Sequence, residues 1–412
     1  MRMLQGRVRA YEWGSLRAIP ELFGKEAAEG PVAEVWLGAH PDDPASVGRV
    51  HSIFDESQLY PSRVAPRAVG PSLDEWVAQD PDLILGESVV ERYGARLPYL
   101  LKLIAPAQPL SLQVHPSIAQ AEEGYAAEEA AGVPHRDPRR NYKDRNHKPE
   151  LVYALSTFQA LAGFRARRRI GEVIEALGTP LTDDLRRVLR SRGVRGAFEF
   201  LLSEPTRPGA DAVAEVAVAC ERRLRAGESP SRRADSIVVR LAERYPGDPG
   251  VVASLLLNPV TLRTGEALFL SAGTVHAYLS GVGVEIMASS DNVLRAGLTH
   301  KHVDVPELLR ILDPTASPPT RIAPERVSRA VSTFYAPVDD FELSDVHLRD
   351  ANVRERIRGV GPRTVVCLNG AAQLEANGQV VDVSAGQAVF VPSCDGPLAA
   401  RGFGHLVQAA VP

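Results

Sequence analysis

The hydrophobic period of this chain changes twice. From about residue 165 to 255, apolar side chains recur at helical spacing through RRRIGEVIEALG, TDDLRRVLRSR, GAFEFLLS, DAVAEVAVACERRLRAG and RRADSIVVRLAERYPGDPGVVASLLL. On either side the pattern falls back to short alternating runs punctuated by Gly and Pro, as in EVWLGAH, LSLQVH and TLRTGEALFLSAGTVHAYLSG. A helical block set inside β-type sequence reads as a domain inserted between two halves of a β domain. At 412 residues the chain exceeds what one core ordinarily serves, so two or three domains are expected. The Pro-rich DPTASPPT, Asp313–Thr320, marks the clearest further boundary. The expected division is residues 1–160 with 256–320, an insertion at 161–255, and a β-rich unit at 321–412.

Local signals fill in this frame. Ser72 with Glu75 three residues later forms a capping box. It opens a stretch read as helical from about 72 to 104, including YGARLPYLLKLIA. LSLQVH is a strand that sets Ser111, Gln113 and His115 on one face. Residues 116–147 are a charged excursion whose Ala/Glu portion suits a short helix, followed by an extended KPELVYAL.

Composition narrows the function classes. A net charge of −4 and a pI near 6.2 argue against an extended basic footprint, so a small anionic ligand fits better than nucleic acid. The N-terminal MRMLQGRVRAYEWGS lacks a signal-like apolar core, and no run of about 18 apolar residues is found. No membrane partner is therefore expected. Cys220, Cys367 and Cys394 are too scattered for a disulfide framework or a Cys-rich zinc site, which suits a cytoplasmic location. A metal site must then use His, carboxylate or amide ligands.

Gly265 is followed by five residues and then SAGTVH, and Gly386 by five residues and then Pro392. Both segments resemble the second sequence motif of the cupin fold, in which turns separate the strands of a small jelly-roll barrel. In the first copy Gly273 and His276 stand at the expected offsets; in the second the His position is Pro397. The fold class expected is mainly β with a helical insertion. It comprises a cupin-type jelly-roll catalytic domain, the inserted α-helical domain, and a second cupin-like β domain without metal ligands.

Gln113 and His115, two apart on a strand, make half a metal site. Glu150, in the stiff HKPE segment, and His276 are the best-placed further ligands, Pro149 holding Lys148 extended. Two imidazoles, a carboxylate and an amide suit one Zn²⁺ per chain, and ligand softness also admits Mn²⁺, Fe²⁺ or Co²⁺. Taken singly, Gln-x-His is ordinary polar surface, His276 a core histidine and Glu150 a surface carboxylate.

Read together and in order, YEWGS, EVWLGAHP, LPYLLKLI, LSLQVHP, NYKDRNHKPEL and GTVHAYLSGVGVEIMASSDNVLRAGLT resemble the type I mannose-6-phosphate isomerase family over about the first 325 residues. The resemblance implies zinc held by Gln113, His115, Glu150 and His276. It implies interconversion of mannose 6-phosphate and fructose 6-phosphate through an enediol-type intermediate, and a sugar-phosphate substrate as the partner. A monomer or weak oligomer is expected. Two departures stand out: His300 where the family usually has Pro, and Ser271 in place of a frequent Pro or Ala. An iron-dependent cupin dioxygenase fits less well, because Gln113 takes the first place of the usual His-x-His pair.

Such chemistry needs a base, an electrophile and an anchor for phosphate. VEIMASSDNVLRAG offers Glu285, Asp291 and Arg295 in an otherwise apolar stretch; the alternative is an Asp291–Arg295 structural ion pair. By resemblance Glu285 and Arg295 line the site. Glu285 is the candidate acid/base and Arg295 a catalytic or phosphate-neutralising cation, with Asp291 also placed among the catalytic residues. Lys148, two residues before Glu150, projects to the same side. Lys102 and Ser111 are candidates for phosphate, although Lys102 can instead snorkel to solvent. Trp13 and Tyr278 either wall the pocket or fill core. His147 points to the opposite face from Lys148.

Overall fold

The computed structural model describes residues 1–48, 50–64, 70–359 and 361–412. Three sheets, whose ladders among the described residues are antiparallel, organise it. A seven-stranded sheet includes strands Glu34–Leu37, Tyr99–Ile104, Glu150–Ala154, Ala267–Leu270 and Gly283–Ala288. A five-stranded sheet includes Leu112–Val114, Phe158–Phe164, Leu257–Leu262, His276–Ser280 and Leu294–Gly297. These two face each other across a shared apolar interior of Ile104, Val152, Ala160, Leu268 and Tyr278, and form the cupin-type barrel.

Side-chain alternation decides what lies outside that barrel. Leu112, Val114, Ala277 and Leu279 turn outward from the five-stranded sheet and pack on the helices. Leu101, Leu103, Leu151 and Tyr153 turn outward from the seven-stranded sheet and meet Leu343, Phe390 and Val407 of a nine-stranded C-terminal sheet. The barrel is thus covered on both faces.

The helices Arg167–Glu175, Pro180–Leu202, Ala210–Ala226, Arg232–Arg244 and Gly250–Ala253 lie between strands Phe158–Phe164 and Leu257–Leu262, where the helical period predicts them. Ala234, Ile237, Val238 and Leu241 are buried on one stripe of the fourth. The second breaks at Gly193, whose φ of 70° a residue with a side chain adopts only under strain. The capping boxes Ser72/Glu75 and Ser117/Gln120 start helices Leu73–Gln79 and Ile118–Ala130.

Two segments differ from the expectation drawn from sequence. The helical reading of 72–104 is correct only as far as helix Glu87–Tyr93; Tyr99–Ile104 is a strand. Both of its faces are buried, one in the barrel and one against the C-terminal sheet, and such a run has no periodicity to distinguish it from a helix. Strand Arg2–Gln5 pairs with Gln387–Val391, so the first residues belong to the nine-stranded sheet. The chain crosses from the seven- to the nine-stranded sheet between strands Thr320–Ile322 and Glu325–Arg326, just past the Pro-rich segment.

Candidate metal centre and substrate cleft

Strand Leu112–Val114 lies between His276–Ser280 and Leu294–Gly297. Gln113 is directly opposite His276 on one side and Arg295 on the other. Three polar side chains of one layer therefore enter the barrel from adjacent strands. Gln113 Nε2 donates to Ser111 Oγ (3.2 Å), which leaves the amide oxygen as the end able to meet a cation.

Glu150 enters from the opposite sheet. His115 Nε2 is 3.2 Å from Glu150 Oε1, and His276 Nε2 is 3.4 Å from Glu150 Oε2. One ligand atom from each lies within 4.8 Å of the others. His115 Nδ1 contacts the Asn292 carbonyl (2.8 Å) and His276 Nδ1 the Thr274 carbonyl (2.9 Å). A carbonyl only accepts, so each Nδ1 carries the proton and each Nε2 turns a lone pair to the centre. His115 Nε2 is buried without a hydrogen bond. Burial pushes this imidazole down to about 4, although Glu150 pulls the other way, so it is neutral. Burial opposes ionisation of Glu150, but its neighbours, the Lys148 ammonium among them, outweigh it and hold the carboxyl well below the usual range. Buried lone pairs facing a carboxylate fit a divalent cation and are repulsive without one.

Residues 1–167 match the model of the type I phosphomannose isomerase catalytic domain. The chain is 35% identical to the mannose-6-phosphate isomerase of Escherichia coli (strain K12), over 99% of each protein. The chain belongs to the type I mannose-6-phosphate isomerase family. It is also 32% identical to mannose-6-phosphate isomerase 2 of Arabidopsis thaliana, over 94% of this chain and 87% of that one. A crystal structure of a mannose 6-phosphate isomerase bound with zinc and yttrium covers 100% of this chain and 99% of its own, with TM-score 0.85 and 34% identity. The apo form from Salmonella typhimurium aligns equally, at TM-score 0.85.

In this family member, a charged layer extends the centre along the seven-stranded sheet. Lys102 and Glu285 are register partners whose Nζ and Oε2 are 3.0 Å apart, and Glu34 is 3.8 Å from the same ammonium. Burial disfavours the Lys102 charge, but Glu285 and Glu34 outweigh it and raise its pKa. Glu285 is pushed up by burial and by Glu150 and Glu34, against the attraction of Lys102. Lys148 Nζ is 3.6 Å from Glu150 Oε1. Tyr278 OH donates to Glu150 Oε2 (3.4 Å), and Trp13 packs against the same interior cluster. Ser111 lies beside Gln113, as its place on the strand predicts.

Asp291 does not pair with Arg295. Its Oδ1 is 3.5 Å from Nε2 of His40, a buried residue the sequence reading passed over. His40 Nδ1 accepts the Asp42 backbone N–H (3.3 Å), so Nε2 is the protonated nitrogen that faces Asp291. Burial lowers the guanidinium pKa of Arg295, Tyr11 offsets this only in part, and no carboxylate among the described residues does so. His147 turns away, as expected, to Asp340 (2.9 Å). A cavity of about 420 Å³ is lined by His40, Asp42, Lys143 and Asp291, beside the converging His115, Glu150 and His276 rather than over them.

Asn292 was also missed. Besides presenting its carbonyl to His115, its amide donates to the carbonyls of Asp144 and Asn146 (2.8 Å each) and accepts from Lys143 N (2.7 Å). It ties the loop before Lys148 to the strand carrying Arg295. Glu34 and Trp36 were missed as well, although alternation along EVWLGAH puts them on one face, and the Trp36 indole donates to Glu34 (2.6 Å).

Proposed function

We propose that this chain interconverts mannose 6-phosphate and fructose 6-phosphate, with one zinc ion held by Gln113, His115, Glu150 and His276. The observation that carries this reading is the pair of imidazoles, each fixed by an Nδ1–H donated to a carbonyl, aiming lone pairs at Glu150 inside a closed barrel. When bound, zinc supplies a Lewis acid that polarises or orients substrate oxygens.

The isomerisation moves one proton between C2 and C1 and another between the two oxygens, through an enediol-type intermediate. Burial raises the pKa of Glu285, which makes its carboxylate a stronger proton acceptor than an ordinary one and suits it to take and return a proton. Lys102 holds it in place and compensates the charge it carries. Lys148 stands beside Glu150 to donate to a substrate oxygen. Among the described residues Arg295 has no carboxylate partner, so its charge is available to phosphate or to the developing enediolate. Ser111 adds a hydroxyl for the anion, Tyr278 and Trp13 wall the sugar, and Asp291, braced by His40, faces the adjoining cavity.

The ligands come from one chain, which supports action as a monomer or weak oligomer. All three cysteines are unpaired, which supports a reducing, cytoplasmic compartment. No described helix is long and apolar enough to cross a membrane. A coupled assay on the two hexose phosphates tests the reading. Turnover that disappears on chelation and returns with zinc is expected, and metal-replete protein inactive on this pair would overturn it.

A further inference from the structure

Pro397 does leave the C-terminal unit without a histidine at the position matching His276. The nine-stranded sheet nevertheless assembles metal-binding side chains elsewhere, on two of its long strands. Asp345 and His347 are two apart on Glu342–Ile357 and so leave the same face. His405, on Leu398–Ala410, is the direct cross-strand partner of His347. This repeats the arrangement of Gln113, His115 and His276, where two residues spaced by two are completed by a histidine from the neighbouring strand.

The side chains converge. His347 Nε2 is 3.1 Å from Asp345 Oδ2, and His405 Nε2 is 2.6 Å from Asp345 Oδ1. The imidazoles stack with centroids 4.1 Å apart and planes 16° from parallel. One ligand atom from each of the three residues lies within 4.8 Å of the others. Face-to-face aromatic stacking is not the favoured arrangement, and two imidazoliums so close would repel. The shared carboxylate draws one Nε2 to each of its oxygens, and the antiparallel ladder holds both rings beside it before any ligand arrives.

The trio is open to solvent. The His347 side chain is 48% exposed and that of His405 21%. They border a cavity of about 460 Å³ with Arg349, Asn369 and Phe403. An arriving ion keeps a coordination position for water. Two imidazole nitrogens and one carboxylate oxygen form a donor set suited to zinc or copper, and too nitrogen-rich for magnesium or calcium.

We infer that Asp345, His347 and His405 form a second divalent transition-metal site, separate from the barrel centre. The ion would clamp strands Glu342–Ile357 and Leu398–Ala410 at the seam where this sheet covers the barrel.

Full-length protein, first given a single equivalent of zinc per chain to fill the barrel centre, would be titrated with Cu²⁺ and read by electron paramagnetic resonance, with metal per chain counted after desalting. The wild type should take up an extra equivalent that the His347→Ala/His405→Ala variant does not, with a signal showing coupling to two imidazole nitrogens. Single His405→Ala should weaken uptake at least about 10-fold. The double variant also reads out any copper that enters the barrel. Equal uptake by wild type and double variant, or a copper signal without two nitrogens, overturns the inference. Should the double variant fold poorly, His347→Gln alone, monitored by circular dichroism, must lose one coupled nitrogen, and retention of both is equally fatal. Neither readout depends on isomerase activity.

Discussion

His115 Nε2 lies 3.2 Å from Glu150 Oε1 without a hydrogen bond between them, because the histidine's proton is committed on the other side to the Asn292 carbonyl. A cation resolves this contact, and removing the negative side weakens the hold on it. Glu150→Gln keeps the shape and loses the charge. It should lower zinc affinity by about 100-fold or more, above the 10–100-fold typical of residues that only orient a ligand. Competition with a chromogenic chelator measures this, and unchanged affinity would exclude Glu150 as a ligand.

Lys102 and Glu285 form a buried pair, the two residues being 5% and 2% exposed. Glu285→Gln leaves Lys102 with only the more distant Glu34, and should cost about 3–5 kcal/mol in denaturant unfolding. Replacing both partners, Lys102→Met with Glu285→Leu, should recover most of that stability while activity stays abolished. This separates the packing role of the pair from its chemical one.

Arg295→Ala removes a cation that no carboxylate among the described residues neutralises. A charged hydrogen bond contributes about 1.5–3 kcal/mol, so kcat/KM should fall roughly 10- to 150-fold with zinc content unchanged. Arg295→Lys should restore only part, since an ammonium lacks the planar fork. Steady-state kinetics with metal analysis decides it. A variant as active as wild type would remove Arg295 from the site.

His40→Ala frees the Asp291 carboxylate it faces at 3.5 Å. Misplacement of an active-site group by about 1 Å costs up to about 100-fold, so a drop in kcat of about 10- to 100-fold is expected with zinc retained. Wild-type kcat would show that the contact is structural only.

Burial pushes the thiols of Cys220 and Cys367 up to about 12 and about 11, while Cys394 is exposed. A raised folded-state pKa contributes stability that is complete below the unfolded thiol value, near 8.5, and is lost as pH climbs towards 11–12. Native protein at pH 8 should therefore release thionitrobenzoate from Cys394 alone, and unfolded protein from all three. Fast reaction of a second thiol in the native state would contradict the burial described.

The legible parts of this molecule were those with local causes. The insertion showed because each helix carries its own apolar stripe, and Gln113 with His115 showed because alternation on one strand fixes a shared face. His276 needed only a turn motif. What stayed hidden depends on segments meeting from far apart in the chain. Asn292 and His40 matter through contacts with His115 and Asp291 that no local pattern encodes. Strand Tyr99–Ile104 lost its signature because it is covered on both faces. The pairing of His347 with His405 lies beside a register shift between Asp350 and Glu355, which alternation alone does not reveal.

Strand Arg2–Gln5 is hydrogen-bonded to Gln387–Val391, placing residue 2 against residue 390. It pairs early on its other edge with Ser46–Gly48, but at roughly 5–20 residues per second on the ribosome it waits about 20–80 s for this second partner. The catalytic barrel is translated well before that, and its outer seven-stranded face must stay exposed in the meantime. Growing chains are therefore at their most vulnerable to aggregation just before residues 387–391 emerge, and chaperone demand should peak there.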